Sequence, residues 1–216
     1  MSFSNKVPNP ENERINTILK MSISASLASL GIVLSSFVIF VPNFEFISVT
    51  IFLIALLLGF RYGIISAMML SLVYELIVTP IFGSAGLLIP VKLLCYGILA
   101  LLGGTMRQAF LKLSFWELGA FGALFAFFYD ILTTIFGQLV IIQEQITWNH
   151  LLTVLIFGIP FTVTHIVGNF VLFSMIKSII NRIESAFKYK GVRFFLISDA
   201  TESFGSIETA CEENKK

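Results

Sequence analysis

The sequence predicts an all-α, multi-pass membrane protein with six transmembrane helices. Three observations predict it. The 216 residues are 56% hydrophobic and only 12% charged, where a soluble domain carries about a quarter of its residues as charges. Six apolar runs approach the roughly 20 residues a helix needs to cross the hydrocarbon core. The basic residues also fall on one side of the topology that those runs define. The runs lack the in-and-out alternation of barrel strands, which excludes a β-barrel.

The first run, Met21–Val41, is too long for the apolar core of a cleavable signal peptide and no small-residue cleavage site follows it, so it reads as a retained helix. It is rich in small residues. Ala25-x-x-x-Ser29 and Ser24-x-x-x-Ala28 are patterns that permit close helix approach, either within the bundle or against another membrane protein. Pro42-Asn43 ends it. The second run, Phe46–Phe60, is short for a full crossing and implies tilt, local thinning or re-entry. The third is Gly63–Thr79, closed by Pro80 and the stretch Gly83-Ser84-Ala85-Gly86. In the fourth, Leu87–Met106, Pro90 sits in the first turn, where its missing N–H does no harm. The fifth is Leu118–Val140. The sixth is Leu151–Ile176, with a kink expected at Gly158 and Pro160. Residues 1–20 form an N-terminal segment and 21–180 the transmembrane domain. Residues 181–216 form an amphipathic stretch followed by a polar, acidic tail of disordered composition.

Thirteen of the fourteen Lys and Arg residues lie before the first run, between even and odd runs, or after the sixth. Both termini are therefore expected in the cytoplasm. Lys92 is the exception. It is one of four ionisable residues inside apolar runs, with Glu75, Asp130 and His165. An ionised group at mid-bilayer costs about 2.5–3.5 kcal/mol on insertion scales, so such residues mark pairs, wet cavities or ligand contacts. The topology places most of them in the extracytoplasmic half, beneath loops that carry Trp148, Asn149 and His150. A polar pocket open to that side is expected. Glu75 and Lys92 fit either a structural ion pair or ligand contacts. Asp130 has no obvious basic partner other than Lys92, and stands as the leading ligand candidate with Glu75. His165 and Asn169 suit interhelical hydrogen bonds as well as ligand contacts, and Tyr129 and Trp148 suit either aromatic walls or interfacial anchors. The candidate binding set is Glu75, Lys92, Tyr129, Asp130, Trp148, Asn149, His165 and Asn169.

Several chemistries find no support. There is no phosphate-binding G-x-x-x-x-G-K-[ST] loop, no H-E-x-x-H and no paired-cysteine metal motif. A net charge of +1 without a basic stripe gives no reason to expect nucleic acid. Cys95 and Cys211 are not placed to form a structural disulfide, and no cofactor is implied. Ser84 and His165 superficially suggest an intramembrane serine protease of the rhomboid type. The serine stands in the wrong position of its motif, however, and a nucleophile must come within about 3 Å of its base.

Pro42-Asn43-Phe44-Glu45-Phe46-Ile47-Ser48-Val49-Thr50, followed by Leu58-Gly59-Phe60-Arg61-Tyr62-Gly63, resembles the substrate-binding (S) components of energy-coupling factor (ECF) vitamin transporters. Glu75 in the third helix, Pro80 and Pro90, Gly103-Gly104 and Tyr129-Asp130 are similar to that family as well, over about residues 21–180. The resemblance implies a six-helix S-component-like bundle that is not an enzyme, with a vitamin pocket near the outer face. It implies a transmembrane coupling (T) protein and two ATPase subunits as partners, which fits the missing phosphate loop. It also implies docking on the coupling protein through small residues of the first helix, matched here by Ala25 and Ser29. It leaves thiamine-like, flavin-like, biotin-like and corrinoid ligands open.

Overall fold

The computed structural model describes residues 10–41, 43–82, 88–141 and 147–189. Among them the chain is helical throughout, without strands: α1 Pro10–Phe37, α2 Ile47–Leu58, α3 Phe60–Phe82, α4 Ile89–Thr105, α5 Arg107–Lys112, α6 Phe115–Ile141, α7 Trp148–Ser174 and α8 Ile176–Tyr189. Four helical stretches among the described residues are long and apolar enough to cross a membrane: Thr17–Phe37, Phe60–Ile81, Phe115–Leu139 and the run that opens at Trp148. The runs expected as second and fourth spans are the shorter apolar helices α2 and α4. At 1.5 Å per residue, their 12 and 17 residues reach about 18 and 25 Å against a core of about 30 Å. The motif Gly83–Gly86, the N-terminal residues 1–9 and the tail beyond Tyr189 lie outside the described residues.

The chain divides into two compact units, Met1–Ser174 and Met175–Lys216. In the first, α2 is the central element. Its sequence is apolar on every face, which suits a helix surrounded by others, and all twelve of its residues are buried. It packs against α1, α3, α4 and α7. Phe52 anchors an aromatic core, with ring centroids 5.0, 5.3 and 5.2 Å from Phe110, Phe121 and Phe173. Close approach rests on missing side chains. A Cβ on Gly31 of α1 would stand 2.5 Å from Thr50 Oγ1 of α2, and one on Gly104 of α4 would run into the backbone of Phe60. α2 and α3 are joined by Gly59 alone, whose φ of 94° a β-carbon would disfavour.

The inward face of α1 carries Ser24, Gly31 and Ser35. Ser24 bonds Ser66 of α3 at 2.8 Å, and Ser35 Oγ accepts the Phe46 N–H at 2.8 Å, tying the α1–α2 loop to α1. Ala25 and Ser29 lie on the opposite, exposed face. α7 runs unbroken as helix through Gly158 and Pro160, the expected kink. In the second unit, α8 places Ile176, Ile179, Ile180 and Ile183 at helical spacing against Lys177 and Arg182.

Candidate functional site

Towards one end of the first unit the α1–α2 loop meets α3 at Tyr74 and Val78, the start of α4 at Leu88 and Lys92, α6 from Tyr129 to Gln138 and α7 from Val154 to His165. Between them lies a partly open cavity of about 740 Å³. Its wall includes Phe44 and Glu45 from the loop, Tyr74 from α3, Lys92 from α4, Tyr129, Asp130, Thr133 and Gln138 from α6, and Phe161 and His165 from α7. The antiparallel course of successive helices explains this convergence. Residues far apart in sequence meet here because the hairpins set Glu75 beside Lys92 and Asp130 beside His165.

Two ion pairs mark the wall. Lys92 Nζ lies 2.6 Å from Glu75 Oε2, joining α4 to α3. Glu75 is almost wholly covered, its side chain 4% exposed, whereas Lys92 at 20% reaches the cavity. His165 Nδ1 lies 2.8 Å from Asp130 Oδ1, joining α7 to α6, with both side chains buried. Asp130 Oδ2 has no hydrogen-bond partner among the described residues. The expectation that Asp130 lacks a basic partner other than Lys92 is corrected here. Its partner is His165, brought one helix away by the α6–α7 hairpin.

A third polar feature leads to the second pair. The Tyr96 hydroxyl donates to Glu45 Oε1 and lies 3.2 Å from the Tyr129 hydroxyl. The two rings stack, with centroids 5.3 Å apart and planes 29° from parallel. Tyr129 in turn meets His165 edge to face at 5.5 Å. A chain of contacts thus runs from Glu45 through Tyr96 and Tyr129 to His165 and Asp130, with Tyr96 behind the lining.

Of the residues expected to bind, Lys92, Tyr129, Asp130 and His165 line the cavity. Glu75 stands behind Lys92. Asn169 is buried on α7 but works structurally: it accepts the Ser48 hydroxyl at 2.6 Å and donates to the His165 carbonyl at 3.1 Å, holding α2 to α7. Trp148 and Asn149 lie apart from the others. Trp148 is 80% exposed, Asn149 is exposed too, and neither lines the cavity. Their place in the first turn of α7 puts them beyond the cavity's reach.

Sequence reasoning did not select Glu45, Tyr96, Tyr74 or Phe44. Glu45 is an acid between two phenylalanines just past the end of α1, a signal that was there to read. Tyr96 sits four residues after Lys92, on the same face of α4. Phe44 is set by a close approach: a Cβ on Gly168 would stand 2.6 Å from the Phe44 ring.

Chemically, the cavity can hold a solute of modest size by hydrogen bonds, ring contacts and charge. Among the described residues no three His, Cys, Asp or Glu side chains gather to hold a metal ion. Comparison with protein-family models, with curated proteins and with solved structures gives no match.

Proposed function

We propose that this chain is the substrate-specificity subunit of an energy-coupling-factor-type importer. It binds a vitamin or related micronutrient from the extracytoplasmic side. It delivers that solute through a transmembrane coupling protein driven by two separate ATPase subunits, and is not itself an enzyme. The observation that carries the proposal is the cavity of about 740 Å³, walled by charged and aromatic side chains at one end of an apolar helical bundle. Small-molecule sites commonly occupy about 300–1,000 Å³ and combine apolar walls with a few placed polar groups. Intramembrane charges that face such a space mark a substrate path by default.

The reading takes α1, α2, α3, α4, α6 and α7 as six spans, with α2 and α4 sheltered by their longer neighbours. Both termini are then cytoplasmic and the cavity end faces outward, as the distribution of basic residues favours. The exposed small-residue face of α1, with Ala25 and Ser29, is offered as the contact with the coupling protein. A non-binding scaffold is the competing reading, favoured by the fact that Lys92 and His165 each have a carboxylate partner within the chain.

The test is mass spectrometry of small molecules that co-purify with the membrane-extracted protein, followed by thermal-shift measurement against a vitamin panel. One retained or stabilising solute is expected. A panel without effect, together with no complex on co-expression with a coupling protein, would refute the proposal and leave the scaffold.

A further inference from the structure

Resting on the reading of the cavity as a solute site, we infer that its ligand is a planar nitrogen heterocycle bearing a positive charge, held against Glu45 and Asp130 by the ring of Tyr129, on which Tyr96 stacks. The argument is one of charge. Three carboxylates, Glu45, Glu75 and Asp130, meet one lysine and one histidine around this cavity. Lys92 and Glu75 offset each other at 2.6 Å. His165, when protonated, offsets Asp130 at 2.8 Å. Glu45 takes part in neither pair; the Tyr96 hydroxyl that it accepts carries no charge. Among the described residues, with these carboxylates ionised, the cavity therefore carries one negative charge in excess when His165 is protonated and two when it is neutral. An anionic ligand would meet that excess unfavourably, while a cation offsets it.

The second, independent observation is Asp130 Oδ2. Asp130 is a cavity-lining residue only 6% exposed, yet this oxygen has no hydrogen-bond partner among the described residues. A buried acceptor left without a donor is costly, so this oxygen is placed to accept from a group bound in the cavity. The third observation is the aromatic lining. Phe44, Tyr74, Tyr129 and Phe161 face the same space as Glu45, and the negative faces of aromatic rings attract cations. Flat rings also suit the slot between such walls. Lys92, held by Glu75, remains 20% exposed at the cavity; it fits a hydrogen-bond acceptor at the far end of the ligand.

The test uses the full-length protein in detergent and three sets of probes. The cations are thiamine and N-methylnicotinamide, the neutral rings riboflavin and nicotinamide, and the anions nicotinate and biotin. Binding is read by titration calorimetry. A cationic probe is expected to bind at least 10-fold tighter than the neutral and anionic ones. Glu45→Gln keeps an acceptor for Tyr96 and removes the charge. It is expected to weaken the cation about 10- to 100-fold, the loss of one charge-assisted contact, while changing a neutral probe less than 3-fold. The ratio between probes cancels any general effect of the substitution on folding. Should Glu45→Gln not yield folded protein, Glu45→Asp is read in the same way and is expected to keep the preference for the cation. Tight binding of a neutral or anionic probe with no cation bound would overturn this inference and leave the solute-binding proposal standing. Binding of no probe, with no solute co-purifying, would overturn both.

Discussion

The Lys92–Glu75 pair offers the sharpest test of what the buried charges do. It joins α4 to α3 across 2.6 Å, with side chains 20% and 4% exposed. At that distance the attraction between unit charges is about 6 kcal/mol for an effective dielectric of 20. Removing two charges from water cancels much of it, so an intact buried pair contributes little net stability. Losing one partner is different, because it leaves the other charge in an environment chosen for a pair; the usual penalty is about 3–5 kcal/mol. Lys92→Met is expected at the upper end, because the carboxylate it leaves behind is the more covered. Glu75→Gln is expected at the lower end, because Lys92 still reaches the cavity. For a domain of this size about 2–4 °C of midpoint corresponds to each kcal/mol, so single variants should melt roughly 10 °C below the parent. The double variant Glu75→Gln/Lys92→Met should recover most of that loss. The assay is size-exclusion of the purified protein after graded heating in detergent. Single variants within 2 °C of the parent, or a double variant as damaged as the two singles added together, would refute the reasoning. If the recovered double variant still binds the co-purifying solute unchanged, Lys92 is a structural partner only; lost binding assigns it to the ligand.

Other residues give independent checks. Asn169→Leu removes the acceptor of the buried Ser48 hydroxyl, 2.6 Å away, and should destabilise the bundle by about 1–3 kcal/mol in the same heating assay. Gly104→Ala drives a methyl group into the Phe60 backbone, which cannot yield as a side chain would, and should cost about 1–3 kcal/mol. Gly97→Ala, also on α4, meets nothing within 4 Å and should be neutral or slightly stabilising. Trp148→Ala and Asn149→Ala should leave solute affinity within about 2-fold by calorimetry, since both side chains are exposed and stand outside the cavity.

The helices were legible because their signal is composition and length. Each of the six apolar runs contains a helix, and the edges differ by a few residues, except at α1. That helix begins at Pro10 rather than Met21 and ends at Phe37 rather than Val41. Its early start has a plain cause: residues 10–20 are mostly polar and carry no apolar run, yet helix needs no apolar character. The early end follows from the loop, where Phe46 N–H bonds Ser35 and Asn43 takes a φ of 55°. The site was legible only in part, and for the opposite reason. An anomalous charge in an apolar run is visible in sequence, which found Glu75, Lys92, Asp130 and His165. A residue that matters by proximity is not. Tyr96 looks like any membrane tyrosine until the fold brings Glu45 to its hydroxyl and Tyr129 to its ring. Trp148 shows the converse, a suggestive residue that the helix register carries away.

The arrangement of charges also says how the cavity is held open. Lys92–Glu75 closes the α3–α4 hairpin on itself, and His165–Asp130 does the same for α6–α7. These two hairpins have the most extensive helix contacts in the first unit. Each hairpin is therefore braced internally by its own pair, the α6–α7 one an ion pair only when His165 is protonated. What crosses between them at the cavity is the uncharged Tyr96–Tyr129 contact, with Glu45 of the α1–α2 loop resting on Tyr96. Separating the hairpins would break hydrogen bonds and a ring stack, worth about 0.5–1.5 kcal/mol each, and would leave both ion pairs whole. A solute that touches Glu45, Tyr129 and Asp130 together would add its own contacts to that weak bridge. Tyr96→Phe removes the Glu45 hydrogen bond and keeps the ring. It is therefore expected to loosen the α1–α2 loop, read as faster amide exchange at residues 43–46, while exchange within α6 and α7 stays unchanged. Faster exchange throughout α6 and α7 would mean that the hairpins are not independently braced.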